Sequence, residues 1–163
     1  MFYTRKSMIT YIIIGVTTLV SFAGFKNYEW IQKLSFNAYR IVKHQEWYRF
    51  VTHGFVHGDT MHLLVNMFTF WSFGKYMEAR FHQMGFGSGS FLVLYFGGMI
   101  IASMYDFIKQ KDNPNYNSIG ASGAVSAVLF SYILFNPLGK IYLFAAIPIP
   151  GIVFGVVYLL YCQ

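Results

Sequence analysis

Five long apolar stretches divide this chain, and they leave few folds open to it. A segment needs about 20 mostly apolar residues to cross the hydrocarbon core of a bilayer. Met8–Phe25, Met61–Met77, Ser90–Ile108, Ile119–Phe135 and Ile141–Tyr161 all approach that length. Only 11% of the 163 residues are charged, against about 25% in soluble domains. The expected fold is an all-α membrane protein, a polytopic helical bundle, with residues 1–163 forming a single domain. The first stretch follows Arg5 and Lys6 and ends in Ser21-Phe22-Ala23, a triplet that resembles a signal-peptidase site. Its length and the four stretches after it favour an uncleaved helix. Net charge is +6, but the basic residues are dispersed singly, so anionic lipid headgroups are expected as partners and nucleic acid is not. The lone Cys162 excludes an internal disulfide framework.

The connections carry the rest of the organisation. The longest, Lys26 to Thr60, holds Trp30, Phe36, Tyr39, Trp47, Tyr48, Phe50 and Phe55. A disordered linker would not be so aromatic, so this segment is expected to lie in the membrane interface. Gly85 to Ser90 and Asn113 to Asn117 read as turns, and the first lacks the lysine and strand of a phosphate loop. Pro148 and Pro150 fall inside the fifth stretch and should kink it, either as a gate or as tolerated packing. With a cytoplasmic N-terminus, Arg5, Lys6, Lys75, Arg80 and Lys140 lie on that side. Lys26, Lys33, Arg40, Lys43, Arg49, Lys109 and Lys111 lie opposite, which argues weakly for the reverse orientation.

Polar groups at membrane depth are the functional candidates. Ser122 stands in Gly120-Ala-Ser-Gly123 at the start of an apolar helix, where free N–H donors suit an activated nucleophile and its oxyanion. His62 and Asn66, four apart, share a helix face and either stabilise developing charge or bond neighbouring helices. His53 and His57 are also four apart, but Gly54 and Gly58 break the helix and no carboxylate or thiol cluster accompanies them, so no metal is expected. Glu78 and Arg80 read as a solvated or interfacial pair, and His44 and His82 receive no role. Gly97, Gly98, Gly151 and Gly155 read as close-packing positions. The sequence around Ser122 fails the last position of the soluble-hydrolase elbow G-x-S-x-G, and no strand precedes it.

Taken together, these pieces resemble the rhomboid family of intramembrane serine proteases across nearly the whole chain. Glu46-Trp-Tyr-Arg49 is similar to the family's Trp-Arg element. The run from His53 through His57 and His62 to Asn66 is similar to its His-rich entry to the second helix, and Gly120-Ala-Ser-Gly123 to its nucleophile motif. The resemblance implies Ser122 as nucleophile, with the Ser122 N–H and the His62 and Asn66 side chains as oxyanion hole, supported by Gly120 and Gly123. It implies that Trp47, Arg49 and Glu78 fasten the long loop to the membrane and the bundle, that His57 is structural, and that the N-terminus is cytoplasmic. No cofactor or metal is implied, and the partners are transmembrane protein substrates and membrane lipids, with oligomeric state undetermined. Five of the family's six helices are expected here. The family's general base, a histidine on the sixth helix, has no counterpart among the five histidines, so the 163 residues as written should be silent. Ser126 occupies a position where some relatives carry an aromatic that packs on that histidine. The alternative is a pseudoprotease that binds transmembrane clients without cutting them. A small transporter would show charges within spans or an internal repeat. Compactness favours a bacterial inner membrane.

Overall fold

The computed structural model describes residues 8–143 and 147–161; Arg5, Lys6 and Cys162 lie outside them. Eight helices and one strand pair follow in order: α1 Met8–Lys26, α2 Tyr28–Leu34, α3 Ala38–His44, α4 Arg49–Thr52, a 3-10 turn His53–Phe55, α5 Thr60–Gln83, α6 Gly87–Gln110, α7 Ser122–Phe135, β1 Lys140–Leu143, β2 Ile147–Pro150 and α8 Gly151–Tyr161. The interval Lys26 to Thr60 is therefore built of short helices. Asn27, Asn37 and Asp59 start α2, α3 and α5 by accepting hydrogen bonds from Glu29, Arg40 and His62 N–H.

Helices α1 and α6 are long and apolar enough to cross a membrane. With 24 residues, α5 reaches about 36 Å at the usual rise per residue. The packed interior lies where α1, α5, α6 and α7 meet and includes Ile13, Phe70, Phe91, Tyr95, Met99 and Val128. Outside, Leu19, Val93, Ile101 and Leu134 are each more than 70% exposed. A surface so apolar suits lipid rather than water.

The fifth apolar stretch does not form one helix. Lys140–Leu143 and Ile147–Pro150 make an antiparallel strand pair in which Lys140 faces Pro150 and Ile141 faces Ile149, and among the described residues of this stretch only Gly151–Tyr161 is helical. Eleven residues span about 16 Å, short of the roughly 30 Å hydrocarbon core. Pro148 and Pro150 explain the break, because neither can donate a helical hydrogen bond. In the strand pair they do no harm: Gly151 N–H donates to Gly139 O at 2.9 Å, which sets the phase so that the proline nitrogens face away from β1.

Backbones of α6 and α7 touch through two glycines. A β-carbon at Gly123 would stand 2.6 Å from Ala102 Cβ, and one at Gly98 would stand 2.4 Å from Ala127 Cβ. Gly98, Gly151 and Gly155 are close-packed as expected, whereas Gly97 faces open space.

Glu78 is not a solvated partner of Arg80. It is 1% exposed and accepts hydrogen bonds from Ile9 N–H, Thr10 N–H and Thr10 Oγ1 at 3.0, 3.0 and 2.7 Å. It thus satisfies the free donors at the start of α1 and binds α1 to α5 rather than fastening the long loop. The Glu78→Ala variant should lose about 1–3 kcal/mol of stability by leaving these donors bare, and Glu78→Gln should lose less. Equilibrium unfolding in mixed micelles would measure both.

Candidate active site

Ser122 opens α7 and is exposed, and the turn in front of it is bonded at Asn117, Ser118, Gly120 and Ala121 to the segment between α1 and α5. Ser118 and Phe36 exchange backbone hydrogen bonds at 2.9 and 3.1 Å. Gly120 N–H donates to His53 O at 2.9 Å, and Ala121 N–H donates to His57 Nε2 at 3.4 Å. Asn37 Nδ2 donates to Pro114 O and to Asn117 Oδ1, and Ser35 Oγ donates to the same Asn117 oxygen. Gly120 has φ +111°, a region that favours glycine, and a β-carbon there would lie 2.6 Å from the His62 ring. Glycine is thus required twice, for the turn and for the approach of His62.

His57 is fully buried and its roles can be assigned from its partners. Ser21 Oγ donates to Phe55 O, so it accepts from His57 Nδ1 at 2.9 Å, which leaves Nε2 free to accept from Ala121. Only the neutral ring does this. Burial, then the neighbouring His62, lower its pKa to about 4, with Asp59 opposing. His53 is likewise lowered to about 4, chiefly by burial, and its Nε2 meets Ser103 Oγ at 3.2 Å. These two imidazoles serve different helices, α1 and α6. Among the described residues no three His, Cys, Asp or Glu side chains are grouped to hold a metal.

His62 and Asn66 project from α5 onto the cavity that Ser122 also lines, a cleft of about 1200 Å³. Asn66 is buried and spends one amide hydrogen on His62 O at 3.0 Å, leaving the other. The far wall comes from β1 and α8, including Ile141, Phe154 and Tyr158. Tyr158 OH lies 3.4 Å from Ser126 Oγ, one turn along from Ser122, so α8 brings an aromatic to the place where α7 has only a hydroxyl. Chemically, the cleft offers a hydroxyl, two side-chain donors and the free N–H of a helix start. Among the described residues no imidazole is hydrogen-bonded to Ser122.

Arg49, wholly buried, knits the long loop together. It donates to Glu46 at 2.5 Å, to Gln32 O at 2.9 Å and to Ser35 O at 2.6 Å. Burial pushes the Glu46 pKa up, but Arg49 and Arg40 outweigh it and hold it below the ordinary value. Trp47 is 58% exposed and packs over Phe50 and against Phe107 of α6. Sequence reasoning missed Ser21, Asn37 and Tyr158, and weighed His53 only as a metal ligand. A serine inside an apolar helix and an asparagine before one are readable signals. Tyr158 carries none, because its partner lies 32 residues away.

Residues 44–163 match the family described as Rhomboid domain. The chain is 29% identical over 133 residues to rhomboid protease GluP of Bacillus subtilis, covering 78% of this chain and 24% of that protein. It is 34% identical over 90 residues to RHOMBOID-like protein 4 of Arabidopsis thaliana, covering 55% and 21%. With rhomboid protein 1, mitochondrial, of Saccharomyces cerevisiae it shares 35% over 105 residues, covering 60% and 27%. The chain thus spans about a quarter of the length of these relatives. They come from a bacterium, a plant and a yeast, and give the expectation of a bacterial inner membrane no support.

Because His53 and His57 have folded pKa values of about 4 against an ordinary 6.5, the unfolded chain takes up their protons first. Stability is therefore full above pH 6.5 and is lost as pH falls towards 4. Thermal unfolding in detergent across that range should show the loss. His57→Gln, which keeps an amide in place of the ring, should flatten the slope.

Proposed function

The chain belongs to the rhomboid family, and we propose that it serves as an intramembrane serine endopeptidase, hydrolysing peptide bonds in or near transmembrane segments of membrane proteins through Ser122. The observation that carries this reading is the meeting of Ser122, His62 and Asn66 on one otherwise largely apolar cleft. A hydroxyl and two donors gathered in a lipid-facing protein favour acyl transfer over simple helix packing.

In the reaction, Ser122 Oγ adds to the scissile carbonyl carbon while its proton passes to the general-base histidine that the family carries on its sixth helix. The carbonyl electron pair moves onto oxygen, where the Ser122 N–H, His62 and Asn66 receive it. Collapse expels the amine, which takes the proton from the histidine, and water then cleaves the acyl-enzyme. None of the five histidines in residues 1–163 supplies the family's sixth-helix base. The rings of His53 and His57 are buried and bonded to Ser103 and Ser21, His62 serves the oxyanion, and His44 and His82 stand in the last turns of α3 and α5. The second reading, a pseudoprotease that holds transmembrane clients uncut, draws support from the same want of an imidazole beside Ser122 among the described residues. A fluorophosphonate probe separates the two: labelling of Ser122 in the complete protein means an enzyme, and no labelling means a pseudoprotease.

In the complete protein, Ser122→Ala should abolish cleavage of a transmembrane reporter while leaving expression intact; unchanged cleavage would sink the assignment. His62→Ala and Asn66→Ala should each lower kcat by about 10²–10³, with the double variant less than additive, as measured by product formation in liposomes.

A further inference from the structure

Ser21 lies in the last two turns of α1, fully buried, and its hydroxyl joins two partners on the segment that follows. It donates to Phe55 O at 3.0 Å and meets His57 Nδ1 at 2.9 Å. A hydroxyl has one hydrogen to give, and the carbonyl, which can only accept, takes it. His57 therefore carries its own hydrogen on Nδ1, and Nε2 keeps a lone pair for Ala121 N–H at 3.4 Å. With the hydrogen on Nε2 instead, two N–H groups would point at each other. The His57 ring also stands at 74° to the His62 ring, their centres 4.9 Å apart. His62 in turn closes on Gly120, where a β-carbon would lie 2.6 Å from its ring.

We propose that Ser21 is a positioning residue for Ser122: its hydroxyl holds His57 in the tautomer that pins Ala121, and with it the first residue of α7. In a neutral imidazole either nitrogen can carry the hydrogen, and the partner of one nitrogen decides the role of the other. At 3.4 Å the bond from Ala121 is long and tolerates little misorientation of the ring. Packing alone would not call for a hydroxyl here. One turn on, Gly24 faces the same segment through aliphatic atoms of Ile31 and Val56. Ser21 is not among the residues that line the cleft, so it acts through His57 and not on a substrate. Its effect on reaction rate rests on the protease reading, whereas its effect on the turn does not.

The complete protein, labelled with nitrogen-15 at histidine and held in detergent micelles, provides three readings. Nuclear magnetic resonance reports the His57 ring nitrogens, hydrogen exchange reports the Ala121 amide, and a fluorophosphonate times Ser122. In the wild type, His57 should carry its hydrogen on Nδ1. Ser21→Ala should move that hydrogen to Nε2 in part or in full and quicken Ala121 exchange about tenfold, with exchange in α6 unchanged. Labelling of Ser122 should slow about tenfold. Thr17→Val removes a hydroxyl one turn earlier on the same buried face and should change none of these. A hydrogen on Nε2 in the wild type overturns the proposal, and that measurement needs no variant to fold. An unmoved hydrogen or unchanged Ala121 exchange in Ser21→Ala overturns it too, as does a uniform rise in exchange across α1, α6 and α7, which marks ordinary packing. A wild-type protein that resists the fluorophosphonate refutes the protease reading alone, because the ring and amide readings still decide the role of Ser21.

Discussion

The site rests on a stretch of non-helical backbone, residues 117–121, that must be hydrogen-bonded inside a protein whose exterior is apolar. Without water at hand, each unpaired N–H or C=O there would cost several kcal/mol. The structure meets much of this demand from the segment between α1 and α5. Phe36 pairs with Ser118, His53 O takes the Gly120 N–H, and His57 takes the Ala121 N–H. Order in the long aromatic segment and the placement of Ser122 are thus one property. His57 extends the dependence to α1, because the same ring that accepts from Ala121 donates to Ser21. A neutral imidazole joins the first helix to the start of α7, and this gives the low pKa of His57 a structural meaning.

Local chemistry made part of this readable before any coordinates. Uniform apolar length marked α1 and α6, and the cost of polar groups at depth marked His62, Asn66 and Ser122. Gly120 stood inside the apolar stretch 119–135, and its left-handed turn left no sign there. What stayed hidden depended on partners far along the chain. An acid near the end of an apolar segment looks solvated until Ile9 and Thr10, 69 and 68 residues away, are seen to donate to it. The link from Asn37 to Asn117 spans 80 residues and leaves no periodic trace. The pairing of 140–143 with 147–150 was hidden for another reason: a run that is apolar throughout has neither the 3.6 nor the 2 residue period, so Pro148 and Pro150 read as a kink in a helix.

The two faces of α7 follow from the same short motif. Gly123 and Ala127, four apart, lie against Ala102 and Gly98 of α6, at distances that admit no larger side chain. Ser122, Ser126 and Leu129 make the adjoining stripe and open on the cleft. One residue of helix turns the chain by about 100°, so Ser-Gly places a hydroxyl on the open side and a backbone contact on the closed side. The closed side holds α7 rigidly against α6. The open side is covered by a strand pair and by α8, which meets α7 through Gly151, Phe154, Gly155 and Tyr158. The proposed reaction would need Ser122 fixed while a substrate comes and goes. Dividing these demands between opposite faces of a 14-residue helix meets both without a hinge in α7 itself.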